Sequence, residues 1–132
     1  MAREIYFNDV QFSKYSYWHR SIKKKLAYID IDKCGICHTC WQPLYLAELA
    51  FDVNQTYKTT STTEALANMA GLPSFLVFYK VKNNEIVSFR VTQLTPEKGE
   101  EKLLTPDAWV QVMQLIQERH DLVCKKRRRK RA

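Results

Sequence analysis

Pro43-Leu-Tyr-Leu-Ala-Glu48-Leu-Ala-Phe51 decides how the rest of this chain is read. Its only charged residue is Glu48, and so continuous an apolar run suits a central β-strand covered on both faces. Ser74-Phe-Leu-Val-Phe-Tyr79 reads as a second buried strand. Between them, Ser61-Thr-Thr-Glu64 has the form of a capping box. Ala65, Leu66, Ala67, Met69 and Ala70 continue that helix until Gly71 and Pro73 stop it.

The periodicity extends outward in both directions. Leu26 to Asp32 alternates, with Ile29 and Ile31 on one side and Tyr28, Asp30 and Asp32 on the other, which predicts a strand. Before it, Phe12, Tyr15, Trp18 and Ile22 mark one face of a helix that ends in Lys23-Lys24-Lys25. This aromatic face suits a small core, or a platform for stacking bases. After the second buried strand, Asn83-Asn84 turns the chain into Glu85 to Leu94, where Val87, Phe89 and Val91 share a face. Thr105 and Pro106 then open a last helix with Trp109, Val112, Met113 and Ile116 as its apolar stripe, running to about His120. The order predicts an α/β fold of the mixed α+β kind, a central mixed β-sheet of about four strands flanked by helices.

With 132 residues, 45% of them hydrophobic, the chain suits one domain over residues 1–124 with a basic tail at 125–132. The net charge of +7 resides in that tail. Lys125, Lys126, Arg127, Arg128, Arg129, Lys130 and Arg131 are seven of the 21 basic residues, and the remaining 14 balance 14 acidic ones. Adjacent cations attract a polyanion through counterion release, so the tail points to DNA or RNA, to an acidic partner protein, or to a localisation signal. No apolar run approaches the ~20 residues needed to cross a bilayer. Nor does Met1-Ala2-Arg3-Glu4 lead into a signal-peptide core. The expected compartment is cytoplasmic in a bacterial or phage setting, or nuclear in a eukaryotic one.

Cys34-Gly-Ile-Cys37-His-Thr-Cys40 has metal-ligand spacing. Cys34, Cys37, His38 and Cys40 form a candidate Zn²⁺ set, with Cys124 or a second copy of the chain as other sources of a fourth ligand. An iron–sulfur cluster and a tight turn of reduced thiols fit the same string. His19 and His120, each isolated on a helical segment, read as structural.

A carboxylate in the middle of a buried strand costs several kcal/mol unless a cation or hydrogen-bond donors compensate it. Glu48 therefore needs a partner. Antiparallel pairing through the Cys34 to Gln42 connection would bring Asp30 or Asp32 onto the same face, making an oxygen site suited to Mg²⁺. Lys58, just before the Ser61 helix, could point back at it and stabilise developing phosphate charge.

In order, Asp32, Glu48 sixteen residues later, Lys58, a helix and a hydrophobic strand resemble the PD-(D/E)XK nuclease-like superfamily. The likeness is to small phage or mobile-element members whose lysine has migrated, and it spans roughly Leu26 to Tyr79. Ile31 stands where the pattern has proline, and Ala50 where it has lysine. The resemblance implies a restriction-endonuclease-like fold and Mg²⁺-dependent DNA cleavage, with Asp32 and Glu48 as metal ligands and Lys58 as catalytic cation. Asp30 would hold a second ion or a water. The alternative is a non-catalytic nucleic-acid-binding or regulatory module with a zinc-stapled turn.

Overall fold

The computed structural model describes residues 14–22 and 24–124. The basic segment 125–131, Phe12 and Lys23 lie outside the described residues. A five-stranded mixed sheet, in the spatial order β1-β2-β3-β4-β5, forms the centre. Its strands are β1 (Lys33–Ile36), β2 (Pro43–Phe51), β3 (Ser74–Lys82), β4 (Glu85–Thr95) and β5 (Lys102–Leu104). Three helices accompany it: α1 at 14–21, α2 (Ser61–Ala70) and α3 (Pro106–Asp121).

β2 and β3 are parallel, and every other neighbouring pair is antiparallel. A parallel pair needs a crossover, which α2 supplies. β2 is buried as its apolar sequence requires. On one face Ala47, Phe75, Val77 and Val91 pack with Trp109 of α3, joined by Val112, Met113 and Ile116. The Trp109 ring meets Phe75 edge-on at 5.4 Å. Glu48 alternates with Ala47, so it points to the opposite face, where Leu76 and Phe78 pack with Leu94 and Ala50.

Both later helices begin and end for local reasons. Thr105 accepts the Ala108 amide at 3.1 Å, and Pro106 occupies the first turn of α3. Gly71 closes α2 in the left-handed region, at φ 69°, where the absence of a Cβ removes the steric penalty. The α2 start differs from expectation by one residue. Thr60, rather than Ser61, precedes the helix, and its hydroxyl donates to Glu64 at 2.7 Å.

Three further expectations are corrected. Leu26 to Asp32 forms no strand: Ile29 is exposed, and pairing with β2 starts at Lys33, which faces Ala47. The tight loop between Ile36 and Pro43 sets that register, so the residues opposite β2 are those nearest the cysteines. Cys34 consequently lies in β1 rather than in a turn. β5 raises the strand number above the expected four; its three residues pair with Phe89, Arg90 and Val91. Finally, the aromatic face of α1 is not a core face. Tyr15 and Trp18 are exposed, and Tyr15 and His19 stack edge-on against Tyr28.

Candidate functional site

Asp32, Glu48 and Lys58, from three separate parts of the chain, meet at one point. The β1–β2 register sets Lys33 opposite Ala47, which brings Asp32, one residue earlier, level with Glu48. The Asp32 Oδ2 atom accepts the Leu49 amide at 2.8 Å. Lys58 arrives from the segment between β2 and α2. Its ammonium donates to Asp32 Oδ2 at 2.5 Å, to Glu48 Oε2 at 3.2 Å and to the Leu49 carbonyl at 2.6 Å. Those three bonds use all three ammonium donors.

Glu48 is 4% exposed, so its second oxygen also needs a donor. The Thr63 hydroxyl of α2 supplies it at 2.5 Å. Thr63 is buried, and its position in the first turn of α2 aims its side chain at β2. Among the described residues no buried side-chain polar atom lacks a partner. Burial opposes ionisation of Asp32, but bonds from Lys58 and the Leu49 amide outweigh it and hold the carboxyl below its usual range. Conversely, burial opposes the charge on Lys58, and the Asp32 and Glu48 carboxylates outweigh that and raise it.

The segment that delivers Lys58 is itself tied down. Arg90 of β4 grips Asp52 with two bonds, Nε to Oδ2 at 3.1 Å and Nη2 to Oδ1 at 2.9 Å. It also donates to the Gln55 carbonyl at 2.7 Å and to Glu101 at 2.7 Å. Its guanidinium lies 4.6 Å from the centre of the Phe78 ring. The planar fork of arginine suits such a multiply bonded position better than a lysine would. Residues 52–55 are thereby fixed to the sheet three residues before Lys58.

Asp30 is exposed and the three-residue cluster closes without it. The oxygens around the Lys58 ammonium, two carboxylate and one main-chain, are hard donors of the type that Mg²⁺ takes. Two carboxylates against one ammonium leave one formal negative charge, and the ammonium itself occupies the point where the three oxygens converge.

A second cluster lies where the β1–β2 loop meets the end of α3. Cys37, Cys40, His120 and Cys124 bring their ligand atoms within 4.8 Å of one another, a group able to hold a metal ion. Cys37 and Cys124 are buried, with sulfurs 3.9 Å apart, and Cys40 Sγ lies 3.2 Å from His120 Nε2. Burial would raise the Cys37 thiol. The Cys40 amide, the Gln117 side chain and the Thr39 amide overcome this and bring it down to about 5.

The expected zinc set is corrected here. Cys34 is exposed on β1, and His38 points to Thr39, 3.2 Å away, so neither belongs to the group. A strand side chain alternates in direction, and the position three residues before Cys37 falls on an extended segment instead of within the loop. His120, read as structural, takes part instead. Its signal was the His120-x3-Cys124 spacing at the end of the last helix, a second closely spaced pair that complements Cys37-x2-Cys40. Thr63 was also missed, because a threonine inside a helix start reads as capping chemistry.

Comparison with protein-family models, with curated proteins and with solved structures found no match for this chain. Among the described residues no helix is long and apolar enough to cross a membrane.

Proposed function

We propose that this protein is a Mg²⁺-dependent, nuclease-like phosphodiester hydrolase acting on DNA, built on a restriction-endonuclease-like sheet. The observation that carries the reading is the convergence of Asp32, Glu48 and Lys58 around one point, with a residual negative charge. Asp32, Glu48 and the Leu49 carbonyl would hold the ion. When bound, it would polarise a phosphoryl oxygen and lower the pKa of a bound water. Where an ion takes the three oxygens that Lys58 bonds, the displaced ammonium beside them would be free to stabilise a developing phosphorane oxyanion. Thr63 and the Leu49 amide keep the two carboxylates from rotating. The basic segment 125–131 supplies sequence-blind attraction to the substrate backbone.

Cleavage of supercoiled plasmid DNA by the full chain, with Mg²⁺ and with EDTA, tests the reading. Nicking in Mg²⁺ alone, reduced at least a hundredfold by Glu48→Gln with an unchanged circular dichroism spectrum, is expected. Equal cutting by the parent and a folded Glu48→Gln protein overturns it.

A second reading is favoured by the Cys37, Cys40, His120 and Cys124 group. In it the protein is a zinc-stapled nucleic-acid-binding or regulatory module without catalysis. That protein would bind DNA equally well with Glu48→Gln, show no cleavage, and lose most of its salt dependence when residues 125–131 are deleted.

A further inference from the structure

The cysteine and histidine group has the dimensions of a particular coordination polyhedron. Bonds of about 2.3 Å to sulfur and about 2.0 Å to nitrogen, arranged tetrahedrally, set sulfurs about 3.8 Å apart and sulfur about 3.5 Å from nitrogen. The observed Cys37 to Cys124 and Cys40 to His120 separations, 3.9 Å and 3.2 Å, bracket those edges. Three thiolates and an imidazole are soft and borderline donors that select zinc over a hard ion such as Mg²⁺. Four protein ligands fill a tetrahedron, which leaves no position for substrate.

Outer contacts support the same assignment. Gln117 Nε2 lies 3.4 Å and the Thr39 amide 3.5 Å from Cys37 Sγ, both as donors, an arrangement that favours a thiolate. The loop is closed on itself by the Cys37 amide on the Gln42 carbonyl and the Trp41 amide on the Cys37 carbonyl, each at 2.9 Å. Trp41 adopts a positive φ of 67° to complete this turn. The backbone thus curls around the two sulfurs on one side, while α3 presents Gln117 and His120 from the other.

Position in the fold gives the centre a task. β1 has four residues, is paired with β2 alone at the edge of the sheet, and is largely exposed. So short and poorly buried a strand opens readily unless its ends are fastened. Asp32 immediately precedes it and Cys37 immediately follows it. We propose that Cys37, Cys40, His120 and Cys124 bind one Zn²⁺ in a closed structural centre. This centre rivets the β1–β2 hairpin to the end of α3 and so holds Asp32 beside Glu48. The consequence for Asp32 as a metal ligand rests on the nuclease reading; zinc binding and the fastening of β1 do not.

The experiment uses the full chain purified under reducing conditions. Elemental analysis should give one zinc per chain, retained in Cys34→Ser and in His120→Cys and lost in His120→Ala and Cys124→Ser. Substitution with Co²⁺ should produce the visible bands of a tetrahedral thiolate site, which reports on geometry even where a variant folds poorly. Removing zinc with a chelator should speed hydrogen exchange of the Lys33–Ile36 amides by about tenfold or more while leaving those of β3 unchanged. Zinc-free protein, an iron–sulfur chromophore, a Cys37–Cys124 disulfide in the reduced preparation, or β1 exchange indifferent to zinc would each overturn the proposal. Plasmid cleavage is scored separately. Zinc binding and β1 protection as expected, without cleavage, would uphold the centre and defeat the nuclease reading alone.

Discussion

Asp32 accepts a hydrogen bond from the main-chain amide of Leu49 at 2.8 Å, so the acid preceding the edge strand is fastened to the residue beside Glu48. The contact depends on backbone register, which makes the pairing of the two acids a property of the sheet. Lys58 closes the arrangement by donating to both carboxylates.

Lys58→Met removes the ammonium and leaves a buried Glu48 with only the Thr63 hydroxyl as a donor among the described contacts. Breaking a buried ion pair is strongly destabilising, but the Lys58 side chain is 31% exposed and partly screened. A loss of about 1–2 kcal/mol in urea denaturation is therefore expected. Mg²⁺ should recover more stability in the variant than in the parent, because the ion takes the place left by the ammonium. Equal Mg²⁺ dependence in both proteins would argue against these oxygens as an ion site.

Thr63→Val keeps the volume of the side chain and deletes the donor to Glu48 Oε1. An unsatisfied buried carboxylate oxygen should cost about 1–3 kcal/mol by chemical denaturation. Thr63→Ser, which keeps the hydroxyl, should restore most of it. Full stability of the valine variant would mean that this bond contributes nothing.

The Arg90 guanidinium, helped by the Asn54 amide, holds the Asp52 carboxyl below its ordinary 3.8. A depressed carboxyl contributes stability that is complete above the unfolded value and lost as pH falls through the folded one. Parent protein should therefore lose stability as pH drops below 3.8, where unfolded Asp52 takes up its proton first. Asp52→Asn should be less stable at neutral pH and show a flatter profile on the acid side. Melting temperatures from pH 7 downward measure both effects, and parallel curves for the two proteins would contradict the assignment.

Gly35 lies under the Tyr45 ring of the neighbouring strand, where an added Cβ would collide with ring carbons. Gly35→Ala should displace Tyr45 or lift β1, at about 1–3 kcal/mol. Removing the obstacle should relieve the cost, so the same substitution in a Tyr45→Ala background should be milder. Additive losses in the double-mutant cycle would show that the crowding is not at this ring.

Patterns with long periods and strong caps were legible from the sequence. Pro43–Phe51 and Ser74–Lys82 are strands, Ser61–Ala70 and Pro106–Asp121 are helices, and Gly71 and Thr105 act where their chemistry placed them. The need of Glu48 for compensation was also visible, because a charge in an apolar strand cannot be left alone. What alternation could not reveal was which alternating segment finds a partner. Leu26 to Asp32 has the right period, yet the short loop after Ile36 aligns Lys33 with Ala47 and leaves the earlier residues outside the ladder. The short β5 carried too few residues for a periodic signal. In the cysteine group, proximity in sequence favoured Cys34 and His38. Cys124 was already a candidate for the fourth ligand, whereas His120 became apparent only when the fold returned the end of α3 to the loop.

Because Glu48 faces α2 and Ala47 faces α3, inserting one residue between Pro43 and Ala47 would interchange the sides reached by the strand residues before the insertion relative to Ala47 and Glu48 after it. The hairpin would then have to choose between aligning its apolar residues and delivering its acid. Lengthening the chain around residues 97–100 imposes no such choice. Length variation in this fold should therefore be tolerated at the β4–β5 connection and excluded from the first half of β2.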